Sequence, residues 1–161
     1  MSTAVRDAYL RNAVMTATPE QLQLMLYDGA IRFAMQGRDA ILAKDYEASY
    51  EKLTRAQKIV LEMQNGLRPE VNPQLCAQMS ALYDFIYRRL IDATVHRDTA
   101  AVDDALKILQ HQRETWVLLM EKLRQETGVA ATAAAATAPA PVRMPPARCG
   151  AMAESTISLE G

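Results

Sequence analysis

The sequence predicts an all-α protein: an antiparallel up-down four-helix bundle preceded by a short N-terminal capping helix, with a disordered C-terminal tail. Three observations carry this. Apolar residues recur at three-and-four spacing over long stretches, and the breaks between those stretches are short and begin with helix-capping residues. No stretch alternates strictly in twos with β-branched enrichment, so strands are not expected. Long helices joined by short turns pack antiparallel. The helical domain is expected over residues 1–127 and the tail over 128–161.

The first element, residues 4–15, reads AVRDAYLRNAVM and carries Val5, Tyr9, Leu10 and Val14. It is too short to be stable alone, so it either docks on spare apolar surface or serves as a fifth packing element of the core. The next helix, about 19–43, opens on Thr18-Pro19-Glu20-Gln21: an N-cap threonine, a proline in the first turn and a glutamine placed to close a capping box. This helix is apolar on more than one face. Leu22, Leu26, Gly29 and Phe33 form one stripe, and Leu24, Tyr27, Ile31 and Met35 form another. A bundle helix needs a single apolar face, so the surplus requires a cover.

Asp45 is placed to cap a helix over about 46–65, whose stripe is Tyr46, Tyr50, Leu53, Ala56, Val60 and Met63. Asn72 and Pro73 start a helix over about 73–95. One stripe there is Leu75, Met79, Leu82, Ile86 and Leu90; a second is Cys76, Tyr83, Tyr87 and Ile91. Asp98 caps the last helix, about 99–126, with Val102, Leu106, Leu109, Trp116, Met120 and Leu123, interrupted by Arg113. Beyond Gly128 the chain turns to Ala, Pro, Thr and Ser and holds four of the seven prolines. Such a composition offers too little bulk to offset the entropy of ordering it.

Charge and chemistry exclude most function classes. A net charge of -1 lacks the basic excess that phosphate binding needs, and no run of apolar residues is long enough to span a membrane. Cys76 and Cys149 show neither CxxC nor Cys/His spacing, which reads as reduced thiols in a cytosolic protein. Neither His96 nor His111 has a carboxylate three residues ahead, so no metal ligand set is expected. The glycines are scattered singly, and no nucleophile motif occurs. No catalytic, cofactor-binding or metal-binding residue is assigned, and the chain is not expected to be an enzyme. What is left is binding through apolar helix surface. The nine methionines suit either a surface that moulds around a partner or an alanine-rich core that needs filling.

Thr16-Ala17-Thr18-Pro19, followed by the unbroken MLYDGAIRF of residues 25–33, resembles the signature of the flagellin-specific export chaperones, the FliS family. The likeness reaches back to Tyr9 and Val14 and forward through Leu53, Ala56 and Ile59. It continues over the block 82–90 to Asp98 and Trp116. The order of the nine-residue run has no generic helical reason, which makes it the specific part. The resemblance implies a cytosolic helical bundle whose partner is the unstructured C-terminal segment of flagellin. Such a chaperone prevents premature polymerisation and assists delivery to the flagellar type III export apparatus. An export-gate component and a flagellar regulator are secondary partners, and a regulatory adaptor built on the same bundle is the alternative reading.

The same resemblance implies the partner-binding residues, position by matched position. Tyr9, with Leu10 and Val14 beside it, becomes the aromatic cap of an N-terminal segment that covers the groove and yields to cargo. Leu22, Met25, Leu26, Tyr27 and Ile31 line one wall; Tyr83, Ile86, Tyr87 and Leu90 are candidates for another. Asp28 and Gly29 serve helix packing, since a mid-helix glycine costs about 1 kcal/mol against alanine and close approach of a neighbour explains it. Arg89 either meets a cargo carboxylate or is solvated or paired within the chain. Two departures stand out: Thr94 follows Ala93 where the family often has Asn, and the 67–74 loop lacks the paired glycines many members carry.

Overall fold

The computed structural model describes the backbone of residues 2–134 and the side chains of residues 2–128. The described residues form helices and no strand: α1 (Thr3–Thr16), α2 (Pro19–Leu42), α3 (Tyr46–Asn65), α4 (Pro73–His96) and α5 (Thr99–Ala134). Orphan N–H groups at the helix starts are met by side chains. Thr18 and Gln21 close a reciprocal capping box, with Gln21 N donating to Thr18 Oγ1 at 3.2 Å and Thr18 N to Gln21 Oε1 at 3.0 Å. Asp45, Asn72 and Asp98 accept from Ala48, Leu75 and Ala100 at 3.1, 3.1 and 2.9 Å.

The helix ends differ more from expectation. Lys44 and Arg97 adopt the left-handed conformation, with φ of 60° and 56°, and so turn the chain sharply without a glycine. α5 runs on to Ala134, past the end expected at 126, because the alanines after Gly128 are strong helix formers. The remainder of the expected tail, residues 135–161, lies outside the described residues.

α2 packs on α3 and α5, and α4 packs on the same two helices, so the four close an up-down ring. The core inside it is built from Tyr27, Ala30, Ala34 and Ile41 of α2 and Leu53, Ala56, Val60 and Met63 of α3. α4 adds Tyr83, Ile86, Leu90 and Ala93, and α5 adds Ala101, Val102, Ala105, Leu106 and Leu109. Tyr46 and Tyr50 do not join the α3 core line; both are exposed at the first turns of that helix. On α2 the buried line mixes small residues (Gly29, Ala30, Ala34, Gly37) with Tyr27 and Ile41. It takes Gly29 and Tyr27 from the two expected stripes and leaves their Leu22, Leu24, Leu26, Ile31 and Phe33 half-buried and Met35 exposed. Close approach of α3 accounts for two glycines there. A Cβ on Gly29 would sit 3.2 Å from Ile59 Cδ1, and one on Gly37 would sit 2.6 Å from Leu53 Cγ and Cδ2.

Among the described residues no cysteine is free, which corrects the expectation of a reduced thiol at Cys76. Motifs such as CxxC test only local spacing. Cys149 lies outside the described residues.

Polar contacts fix the register between neighbours. Arg38 pairs with Asp103 at 2.6 Å, Arg89 with Asp104 at 2.6 Å and Asp92 at 3.3 Å, and Arg113 with Asp28. Arg89 is therefore paired within the chain, and Asp28 packs α5 against α2 as expected. Arg113, the interruption in the α5 stripe, is the other half of that latch. Such exposed pairs are screened by solvent and add little stability; their role is alignment. Thr94, the departure noted in the sequence, accepts from Gln57 Nε2 at 3.1 Å and donates to the Leu90 carbonyl at 2.8 Å, which ties α4 to α3.

Candidate functional site

Burial is unequal along the bundle. At one end, where α2 and α4 finish and α3 and α5 begin, Ile41, Leu53, Leu90, Ala93, Ala101, Val102 and Ala105 are sealed. Arg97 closes that end further by laying its guanidinium 3.8 Å from the centre of the Tyr46 ring. The opposite end is open. No α5 side chain from 110 to 128 is buried, although this stretch contains Trp116-Val117-Leu118-Leu119-Met120. Five consecutive apolar residues wrap a helix completely at 100° each. Only Trp116 and Met120 are half-buried, while Leu118 is 70% exposed. A helix apolar all round is a helix that something covers.

The start of α2 faces this stretch. Leu24 of α2 with Trp116, Val117 and Met120 of α5 floors an apolar groove, whose rim is Glu20, Gln21, Glu121 and Arg124. The Trp116 indole N–H donates to the Glu20 backbone carbonyl at 3.1 Å and pins α5 against the first turn of α2. On the rim, Arg124 bonds Glu121 through both carboxylate oxygens at 2.9 Å. That contact, with help from Gln125, holds the Glu121 carboxyl below the usual carboxylate range.

A buried polar pair marks where the closed core gives way to the open end. Tyr27 and Tyr83 hydroxyls meet at 3.0 Å across the bundle diagonal, from α2 to α4, beside the buried amide of Gln23. Burial, foremost, and then the neighbouring Tyr27 push the Tyr83 hydroxyl well above its ordinary range, so the Tyr83 phenol stays neutral. Tyr27→Phe leaves the Tyr83 hydroxyl buried with fewer partners and is expected to cost about 1–3 kcal/mol, whereas the Tyr27→Phe/Tyr83→Phe double variant should cost less than the sum of the two single changes. Urea unfolding of the three variants checks this.

The residues assigned to partner binding fall into three groups. Tyr27, Tyr83, Ile86 and Leu90 are core, at 0–2% exposure, and offer no surface in this arrangement. Leu22, Met25, Leu26, Ile31 and Tyr87 are half-buried on the flanks. Tyr9, Leu10 and Val14 lie on α1, which buries none of its residues; Tyr9 is 73% exposed. The expected cap thus stands undocked here, its departure set by an extended Ala17-Thr18 hinge with ψ of 146° and 160°. The groove residues Leu24, Trp116, Val117 and Met120 were not among those assigned. Their signal was the unbroken apolar run at 116–120, which a single-stripe reading of α5 treats as core.

Among the described residues no group of His, Cys, Asp and Glu is arranged to hold a metal ion, and no helix is long and apolar enough to cross a membrane. The groove itself is lined by apolar helix surface with a few charges on its rim.

Comparison with known proteins gives the family. The chain is 35% identical over 119 residues to the flagellar secretion chaperone FliS of Bacillus subtilis (strain 168), covering 74% of this chain and 88% of that protein. It is 32% identical over 120 residues to the flagellar secretion chaperone FliS of Salmonella typhimurium, covering 74% and 89%. A solved structure described as a flagellar chaperone from bacteria superposes with a TM-score of 0.61 at 20% identity, over 74% of this chain and 97% of that one, and shows the same fold. These relatives are chaperones, and the family is not one of enzymes. Residues 1–123 match the family described as flagellar protein FliS, and the chain belongs to that family.

Proposed function

We propose that this protein is a cytosolic export chaperone that binds the disordered C-terminal segment of flagellin, keeps it from polymerising early and assists its delivery to the flagellar type III export apparatus. The observation that carries the reading is the open end of the bundle: an α5 segment apolar on every side, beside an undocked α1 whose Val5, Tyr9, Leu10, Val14 and Met15 are all exposed. An unstructured segment that becomes helical in a filament presents apolar residues at three-and-four spacing, which fits helix-in-groove binding. Its ordering entropy is offset by several anchors, each worth about 1.5–3 kcal/mol when fully buried. In the empty chaperone α1 would close over the same surface through Tyr9, which shields it and lowers apparent affinity by the closed fraction.

Co-purification tests the reading. Full-length flagellin held below its polymerising concentration should elute with the chaperone in size-exclusion chromatography, and flagellin lacking its C-terminal segment should not. Retention of the truncated flagellin would sink the proposal.

A further inference from the structure

We propose that the exposed α2–α3 seam around Phe33 is a second docking point, built to receive an acidic, Asp/Glu-bearing segment of a protein partner. It lies apart from the apolar open end. Three cationic groups converge on one half-buried ring: Arg32 at 5.1 Å, Arg55 at 5.6 Å and Lys52 at 6.0 Å from the Phe33 centroid. A ring face attracts a cation through its quadrupole, but three cations around one ring repel each other. A single carboxylate answers them. Glu51 reaches Arg55 at 2.8 Å and Lys52 at 3.8 Å, and among the described residues Arg32 makes no ion pair.

Three cations against one carboxylate leave two positive charges in surplus, in a chain whose net charge is -1. The arrangement differs from the other cross-helix arginines. Arg38, Arg89 and Arg113 each meet an aspartate of a neighbouring helix, whereas Arg32 of α2 and Arg55 of α3 both bring their guanidinium groups within 6 Å of the Phe33 ring centre. Two guanidinium forks beside an apolar plate take carboxylates two-pronged and hold the aliphatic stem of a Glu or Asp near the ring. That chemistry selects an acidic peptide. It does not depend on the reading of the open end as a flagellin site.

A fluorescently labelled Asp/Glu-rich peptide, titrated with the full-length protein at low salt, tests the proposal by anisotropy. The unchanged protein should bind it, with affinity falling as salt rises and screens the charges. R32E/R55E should weaken binding roughly tenfold or more. K107E/K122E, which makes the same charge change at two exposed lysines on α5, should shift it less than about twofold. Thermal melts confirm the fold, and R32Q/R55Q replaces the reversal if the latter is unfolded. Flagellin capture measured alongside should be unchanged in R32E/R55E, which separates failure here from failure at the open end. Equal loss in both charge variants would overturn the proposal, as would no binding by the unchanged protein. Binding of a single-stranded oligonucleotide more tightly than the peptide would also overturn it, since the seam would then be a phosphate site.

Discussion

Leu24→Glu combined with Met120→Glu is expected to weaken flagellin binding by about a hundredfold or more. The two residues line the same groove, one from α2 and one from α5, and each apolar anchor buried by cargo contributes about 1.5–3 kcal/mol, so losing both corresponds to at least two factors of ten. The new carboxylates add a desolvation cost if cargo is forced over them. Neither residue is in the sealed core, and the double variant should melt within a few degrees of the parent. Isothermal titration with the C-terminal flagellin segment gives the affinity. Unchanged affinity with an intact fold would move the client surface away from the α2–α5 groove, leaving the α2 flank and α1 as its place.

The second large effect falls on stability. Leu53 is fully buried and packs its branched end into the space left by Gly37 on α2. Leu53→Ala removes that contact and opens a cavity between two helices already at close approach, with an expected cost of about 2–5 kcal/mol. Leu118→Ser, equally a loss of leucine but at a position 70% exposed, should change stability by less than about 0.5 kcal/mol. Chemical denaturation of the pair reads the contrast directly. Similar losses at both positions would mean that Leu118 is covered in solution.

That contrast also shows what the sequence could and could not disclose. Helix starts were legible because capping is local chemistry: Thr18, Asp45, Asn72 and Asp98 each have the side-chain oxygen that an orphan N–H needs. The nine-residue run at 25–33 carried the family, while the three-and-four spacing between capped helix starts carried the fold. Less legible was which stripe of α2 is core. Bulky Leu, Met and Phe residues draw the eye, yet the sealed line runs through Tyr27, Ala30, Ala34 and Ile41, because α2 must approach α3 closely enough to need Gly29 and Gly37. Small residues are the mark of a tight helix contact, and periodicity weighted by hydrophobicity undervalues them.

The resemblance, carried over position by position, placed Tyr27, Tyr83, Ile86 and Leu90 on groove walls, whereas their burial at 0–2% puts them in the core of the bundle. Tyr46 and Tyr50 matched the α3 stripe by spacing alone and lie exposed, since the core of that helix begins a turn later at Leu53. On α5, three-and-four spacing continued through Trp116, Met120 and Leu123, so the pattern gave no sign that burial stops after Leu109. Spacing reports which face of a helix is apolar. How far along the helix a neighbour extends to cover that face depends on the lengths and offsets of the other three.

We propose the uncovered end of the bundle, around Trp116, as the seat of the client. The chain has one tryptophan, half-buried with its indole N–H on the Glu20 carbonyl, so its emission reports on that place alone when the added flagellin segment carries none. On titration with the C-terminal segment, emission should shift to the blue and saturate at the stoichiometry found by calorimetry, as the ring loses its remaining water. A complex that forms with full affinity while the Trp116 emission stays unmoved would contradict the assignment.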